Sequence, residues 1–229
     1  MRDYLLTLFV LASFQLSAAR VVLDGLVPGV GSMEKEVVSI KERKFLNIVK
    51  QETDFSCGAA SLATLLRYGY NFDTNEEQVM HGMFQVSDAQ TARQLGFSML
   101  DIKNYVERVL GLRVQGYNIP PDKLVELPIP TIVLLDVRGY RHFVVLKRVD
   151  KDGNVYLADP ALGNLILSME QFEQGWQGVV LAIVGQGYDQ ESPLTMPSPP
   201  VTVRSLDDQF APVTASNLMD FGFTAAELF

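Results

Sequence analysis

Between Cys57 and Tyr68 the apolar residues Ala59, Ala60, Leu62, Ala63, Leu65 and Leu66 recur at i, i+3, i+4 spacing. That period predicts a helix with one buried face, and Gly69 supplies its stop. A second helix is predicted near Asn75 to Phe84, where Thr74 and Glu77 have capping-box spacing. A third is predicted from about Met99 to Leu110, with Ser98 as its cap, Asp101 in its first turn and Gly111 after its end. From Arg113 the pattern changes. Pro120, Pro121, Pro128 and Pro130 punctuate the chain, and TIVLLDV, HFVVLKRV, NVYLAD, LILS and GVVLAIV follow as short Val/Ile/Leu-rich runs with Gly or Asp-Gly turns between several of them. Such runs read as strands. Helices first and strands afterwards indicate an α+β domain built on an antiparallel sheet.

The flanks read differently. In MRDYLLTLFVLASFQLSAAR, Arg2 precedes an apolar core from Tyr4 to Leu16, and Ser17-Ala18-Ala19 has the small side chains of a cleavage site. Residues 1–19 are therefore expected to be a secretory signal peptide, since the apolar core is shorter than the ~20 residues of a membrane span. No stable span is expected after cleavage, and the expected location is the periplasm. Residues 20–34, with Pro and Gly at turn spacing, read as a flexible leader. Lys35 to Lys50 mixes charge with Val37, Val38, Ile40, Phe45 and Leu46 and reads as one or two short strands entering the domain. The domain itself is assigned to residues 35–187. Past Gly187 the stretch YDQESPLTMPSPPVTVRSLDDQF is rich in proline and poor in apolar residues, so 188–229 read as a disordered tail.

Charge narrows the function classes. With 19 basic and 27 acidic side chains, a formal net charge of −8 argues against a nucleic-acid partner, which would require a basic face. A metal centre finds no support either: there is no CxxC, no HExxH and no histidine pair at ligand spacing. No cofactor is expected.

One feature remains to be explained. The chain has a single cysteine, Cys57, placed where the polar turn QETDFS meets the first apolar helix. In an oxidising compartment structural cysteines come in pairs, so a lone thiol is either a small buried hydrophobe or a reactive group. At the first position of a helix, unsatisfied N–H groups and the macrodipole favour a thiolate. Gly58 beside it would let a backbone or a substrate approach closely. A cysteine nucleophile also needs a base, a group to orient that base, and donors for the oxyanion.

Only His81 and His142 can serve as base. His81 lies on the second predicted helix among Gln78, Val79 and Met80, with no carboxylate placed to orient it, and reads as an exposed helix residue. His142 opens HFVVLKRV, which turns at Asp150-Lys151-Asp152-Gly153 and returns as NVYLAD, ending at Asp159. A hairpin brings the start of its first strand and the end of its second to the same end of the sheet. Simple turns, however, set Asp159 opposite Val144 to Leu146, so a bulge or longer loop is needed to bring the two together. On residues alone two readings stand side by side: a histidine with its orienting carboxylate, or a strand-end histidine beside an ordinary Asp-Pro turn. The Cys57 N–H offers one oxyanion donor, and Gln51, six residues upstream, carries a side-chain amide that can supply another.

Taken together, QETDFSCGAASLATLL, RHFVVL, LADPALGN and QFEQGWQGVVLAI resemble the double-glycine-leader (bacteriocin-processing) cysteine peptidases, over roughly Val49 to Val184. The resemblance implies a papain-like fold. It implies Cys57 as nucleophile, His142 as base and acid, Asp159 as its orienting residue and Gln51 in the oxyanion hole. Gly58 and Ala60 match the rest of the Cys-Gly-x-Ala signature, and Trp176 and Gly178 match the closing structural motif. Transporter-fused members usually carry an acid immediately before the cysteine, where Ser56 stands here, and no Walker motif or long apolar span follows. The chain is most similar to free-standing exported members, such as the periplasmic peptidase encoded with functional-amyloid secretion systems. The expected function is an exported thiol endopeptidase with a polypeptide substrate, cleaving after small residues of the Gly-Gly type, with components of an amyloid secretion system as partners. Two rivals keep the same fold: a peptidase-like chaperone that binds secretion clients, and an acyl transferase that replaces water with an amine.

Overall fold

The computed structural model describes residues 19–23, 33–37, 40–137, 139–185 and 187–195. The expected signal peptide lies outside them apart from Ala19, as does the tail from residue 196 onward.

The chain forms two units, divided after Ile40. In the first, β1 (Ala19–Leu23) pairs antiparallel with β2 (Met33–Val37), from Ala19 opposite Val37 to Leu23 opposite Met33. The segment read as a flexible leader thus carries strand residues where it is described, with β-branched Val21 and Val22 in β1. After Val37 the strand reading fails. Ile40–Lys44 is a short helix, α1, whose IKERK sequence holds good helix formers.

In the second unit α2 (Cys57–Gly69) is followed by α3 (Glu76–Phe84), α4 (Ala89–Leu95) and α5 (Met99–Arg108). The helix α3 starts one residue later than its predicted cap: Asn75, with Gln78 three residues on, forms the capping box. The Ser98 cap expected at α5 is present, and Ser98 and Asp101 exchange bonds as a capping box. No apolar stripe announces α4, and of its residues only Ala92 is buried.

The remaining elements are β3 (Arg113–Asn118), a 3-10 turn (Pro121–Glu126), β4 (Thr131–Val137), β5 (Tyr140–Val149), β6 (Asn154–Asp159), β7 (Gly163–Ser168), α6 (Met169–Glu173) and β8 (Trp176–Val184). The six strands form one antiparallel sheet in the order β3-β8-β4-β5-β6-β7. This is the α+β arrangement expected from the pattern of helices then strands, and the papain-like one that the resemblance implies.

Two cores clasp the sheet. On one side α2, α3 and α5 pack Leu62, Leu66, Met83 and Ile102 against Ile132, Phe143, Leu181 and Ile183 of the strands. On the other, Leu124 of the 3-10 turn and Phe172 of α6 cover Val133, Val144, Leu146 and Val180. The helix α2 is the centre of the first core: Leu62 and Leu65 have no exposed surface, and Ser61 Oγ donates to the Phe143 carbonyl at 3.0 Å. Truncating a fully buried leucine such as Leu62 to alanine is expected to cost ~2–5 kcal/mol.

The domain does not end at Gly187. Tyr188 sits edge-on to Tyr70 at 5.6 Å, Ser192 Oγ donates to the Tyr68 carbonyl, and Leu194 is fully buried. The first part of the supposed tail is thereby fastened to the C-terminal end of α2, which corrects the boundary to at least Thr195.

Candidate active site

The polar turn before α2 is closed by Ser56. Its hydroxyl donates to the Thr53 carbonyl at 2.7 Å and accepts from Thr53 N–H, so it makes no side-chain cap on the helix. Cys57 follows as the first helical residue, buried at 5% exposure. Gly58 is small for a different reason from the one its sequence context suggested. A Cβ there would meet Phe143 Cδ2 at 3.3 Å, so the space is filled by the sheet's own phenylalanine rather than left for a ligand.

His142 lies near the start of β5, with its Nε2–H donating to Asp159 Oδ1 at 2.9 Å. The pairing that permits this contact depends on a bulge. Near the hairpin turn Val149 faces Val155 and Arg148 faces Tyr156, but beyond Lys147 the partners become Leu146–Leu157 and Val145–Ala158. Lys147 is the extra residue. The next pair along sets Asp159 opposite Val144, two residues from His142 and on the same face of the strand. Without the bulge Asp159 would lie opposite Val145 and point to the other face, because side chains alternate with a period of 2. The diagonal reach that remains is short enough for a histidine and an aspartate.

Asp159 is fixed from its own side. The same Oδ1 accepts from Ala161 N–H at 2.7 Å and Leu162 N–H at 2.8 Å, so the Asp-Pro turn aims the carboxylate. With Nε2 engaged, Nδ1 of His142 has no hydrogen-bond partner among the described residues. Burial disfavours the imidazolium, but the bond to Asp159, the Cys57 thiol and the negative charge on both outweigh it, and the His142 pKa is pushed up to about 9. Cys57, His142 and Asp159 are thus brought into one coupled group.

Gln51 is placed beside this group. Its backbone N–H donates to the Pro160 carbonyl at 3.0 Å, directly after Asp159, and its side-chain Nε2 donates to the Thr53 carbonyl at 3.3 Å. Gln51 Oε1 and Thr53 Oγ1 are buried without hydrogen-bond partners among the described residues. His81, by contrast, is exposed on α3, with its Nδ1 3.5 Å from Gln85 Nε2 one turn further along.

A cleft of about 1090 Å³ opens at the thiol. Asp54, Phe55 and Cys57 line one part, α4 and the segment to Met99 another, and Tyr140 and Arg141 a third. Its aromatic support is continuous: Phe55 lies 6.2 Å from Phe84, and Phe84 lies 5.0 Å from Phe97. Tyr140 escaped the sequence reading, although it stands two residues before His142 and therefore on the same strand face. Its ring stacks on the imidazole at 5.9 Å and 26°, and its hydroxyl donates to the Asp54 carbonyl at 3.2 Å.

Known proteins are similar to this chain in sequence and in fold. The chain is 48% identical over 203 residues to a protein of Pseudomonas fluorescens named probable functional amyloid protease FapD, covering 89% of each chain. It is 45% identical over 229 residues to the protein of that name from Pseudomonas aeruginosa, covering 100% of both. In fold it is similar to the peptidase domain of Streptococcus ComA, at 20% identity and a TM-score of 0.51, with 61% of this chain and 98% of that one covered. The model of the peptidase C39 family matches residues 46–186, and the chain belongs to that family and is a cysteine peptidase.

Proposed function

We propose that this peptidase is an exported endopeptidase that works through Cys57, His142 and Asp159 and acts on a client of a functional-amyloid secretion system. The observation that carries the site is the position of His142, held by Asp159 on Nε2 and coupled in charge to the Cys57 thiol at the head of α2. Support for the client comes from the names of the relatives, which describe functional amyloid proteases.

The Cys57 thiolate attacks the scissile carbonyl carbon, and the carbonyl oxygen takes up negative charge. Two donors are assigned to it. One is the Cys57 backbone N–H, at a helix start that Ser56 leaves without a side-chain cap. The other is Gln51 Nε2, whose 3.3 Å bond to Thr53 is long enough to exchange for a stronger one. His142, protonated at neutral pH, gives its proton to the leaving amine. The neutral imidazole then takes a proton from water, whose oxygen attacks the acyl-enzyme, and the thiolate leaves. Asp159 holds the ring in one tautomer throughout.

Cleavage after small residues is part of the same proposal. It rests on the resemblance to the double-glycine-leader peptidases; in this chain the Tyr140 hydroxyl ties two cleft walls together beside the thiol. Export rests on the sequence reading of residues 1–19.

The test is a comparison, by mass spectrometry, of the peptides exported by cells carrying wild-type protein or Cys57→Ala. Loss of one defined cleavage in the variant is the expected result. Unchanged peptides would reject the mechanism, and an amine-linked product in place of the free acid would redirect it to acyl transfer.

A further inference from the structure

The bond to Asp159 fixes the His142 ring at one atom only. An imidazole held at Nε2 still tilts about that bond, and Nδ1 has no hydrogen-bond partner among the described residues to stop it. What limits the tilt is a flat neighbour. The Tyr140 ring lies 5.9 Å from the imidazole at 26°, within the range of a stacked pair. Tyr140 is itself 52% exposed, so the packing of the core does not explain its placement. It is held by its far end, where the hydroxyl donates to the carbonyl of Asp54 on the turn leading to the nucleophile. One side chain therefore touches the base and bridges to the loop that carries the thiol. Its phenol pKa is raised, by burial first and then by the negative charges of Cys57, Asp54 and Asp159, so the hydroxyl stays a donor at neutral pH.

We propose that Tyr140 is a positioning residue of the peptidase reaction: its ring holds the His142 imidazole in the plane from which it serves Cys57, and its hydroxyl sets the gap between the walls that receive the peptide. The inference rests on the assignment of Cys57 and His142 as the reacting pair. The two roles belong to different parts of one side chain and separate on substitution. Tyr140→Phe keeps the ring and loses the bridge. Tyr140→Leu loses both.

The experiment is steady-state cleavage of a peptide substrate by the full-length wild-type protein, Tyr140→Phe, Tyr140→Leu and Tyr140→Trp, with Cys57→Ala as control. Alkylation of Cys57 by iodoacetamide is followed in parallel as a readout independent of peptide binding. Tyr140→Phe is expected to keep kcat within about twofold and to raise KM several-fold, the signature of lost binding without lost chemistry. Tyr140→Leu is expected to lower kcat by roughly 10-fold or more, since displacing a reacting group by ~1 Å can cost as much as 10²-fold. It should also slow alkylation, which Tyr140→Phe should not. Tyr140→Trp, with a flat ring and no hydroxyl bridge, should restore kcat and keep the high KM, and it carries the test if Tyr140→Leu does not fold. A kcat in Tyr140→Leu equal to wild type, or equal losses of kcat in the Phe, Trp and Leu variants, would overturn the positioning role while Cys57→Ala remains inactive. Cleavage by Cys57→Ala would instead reject the assignment of the reacting pair, and this inference with it.

Discussion

Two buried basic groups stand on one strand, five residues apart, and the protein treats them in opposite ways. His142 and Lys147 are 8% and 7% exposed. Burial penalises the charged form of each. Yet the His142 pKa is pushed up to about 9, while that of Lys147 is pushed down to about 8, by burial and then by the nearby Arg148. The difference lies in the partner. His142 meets a carboxylate and a thiol; Lys147 Nζ meets the neutral Oδ1 of Asn164 at 3.0 Å. Asn164 in turn donates to the carbonyls of Lys44 and Leu46, so its amide has no charge to offer. Burial lowers the pKa of a cation unless an opposite charge faces it. The two sites are also joined by geometry, because Lys147 is the bulged residue that turns Asp159 onto the face of His142.

Removing the charge that faces His142 breaks the contrast most directly. Asp159→Ala leaves His142 Nε2–H without its acceptor, so the ring is neither held nor kept charged. The expected loss in kcat/KM is roughly 10²–10⁴-fold, the range for removing a positioned acid–base partner. Circular dichroism should show the sheet retained. An alanine variant as active as wild type would show that the carboxylate has nothing to do with the site.

A smaller effect is expected from Asp159→Asn, which leaves an acceptor for His142 Nε2–H but removes the charge. Activity should fall by roughly 10²-fold. The more informative readout is pH. In wild type, activity should decline as the imidazolium is lost near the His142 pKa of about 9. Without the carboxylate, burial remains as the opposing influence, so this limb should move to lower pH. An unmoved limb would mean that Asp159 holds the ring without stabilising its charge.

The hairpin at the centre of this comparison was partly legible in the sequence. Val/Ile/Leu runs and the Asp-Gly turn mark β5 and β6, and Gly153 has the positive φ of +80° that such a turn needs. The need for a bulge was legible too. Its position was not, because the choice of Lys147 as the extra residue rests on burial beside Asn164, which is distant in sequence and sits on β7. Helices with a strong signal, α2 and α5, were readable from stripe and cap. By contrast α4 was missed because only Ala92 of its seven residues is buried. The docking of residues 188–195 was hidden in a similar way: it depends on isolated contacts by Tyr188, Ser192 and Leu194 inside a proline-rich composition. Tyr140 carries no chemical signal as a residue type, although strand periodicity puts it on one face with His142.

The subtlest difference between the two cations is their effect on stability. For His142 the folded-state pKa, about 9, lies above the ordinary value of 6.5. Its stabilising contribution is therefore complete below pH 6.5 and lost as pH rises through 9. Lys147 has the opposite sign. Its folded-state pKa, about 8, lies below the ordinary 10.5, so the unfolded chain binds more protons across that window and stability rises with pH from about 8 to 10.5. Between pH 8 and 9 the two oppose each other and a wild-type profile alone cannot separate them. Lys147→Met can, because it keeps the bulge and leaves His142 in place, so subtracting the variant from wild type cancels the histidine. Denaturant unfolding of both proteins at pH 7 and 9.5 should show wild type gaining on the variant by on the order of 1–2 kcal/mol. Staying below pH 10 keeps clear of Tyr70 and Tyr105, whose raised pKa values bring in ionisations of their own at higher pH. A constant difference across that interval would mean that the Lys147 ammonium is solvated where it lies, and that the contrast with His142 is one of partner alone and not of shared burial.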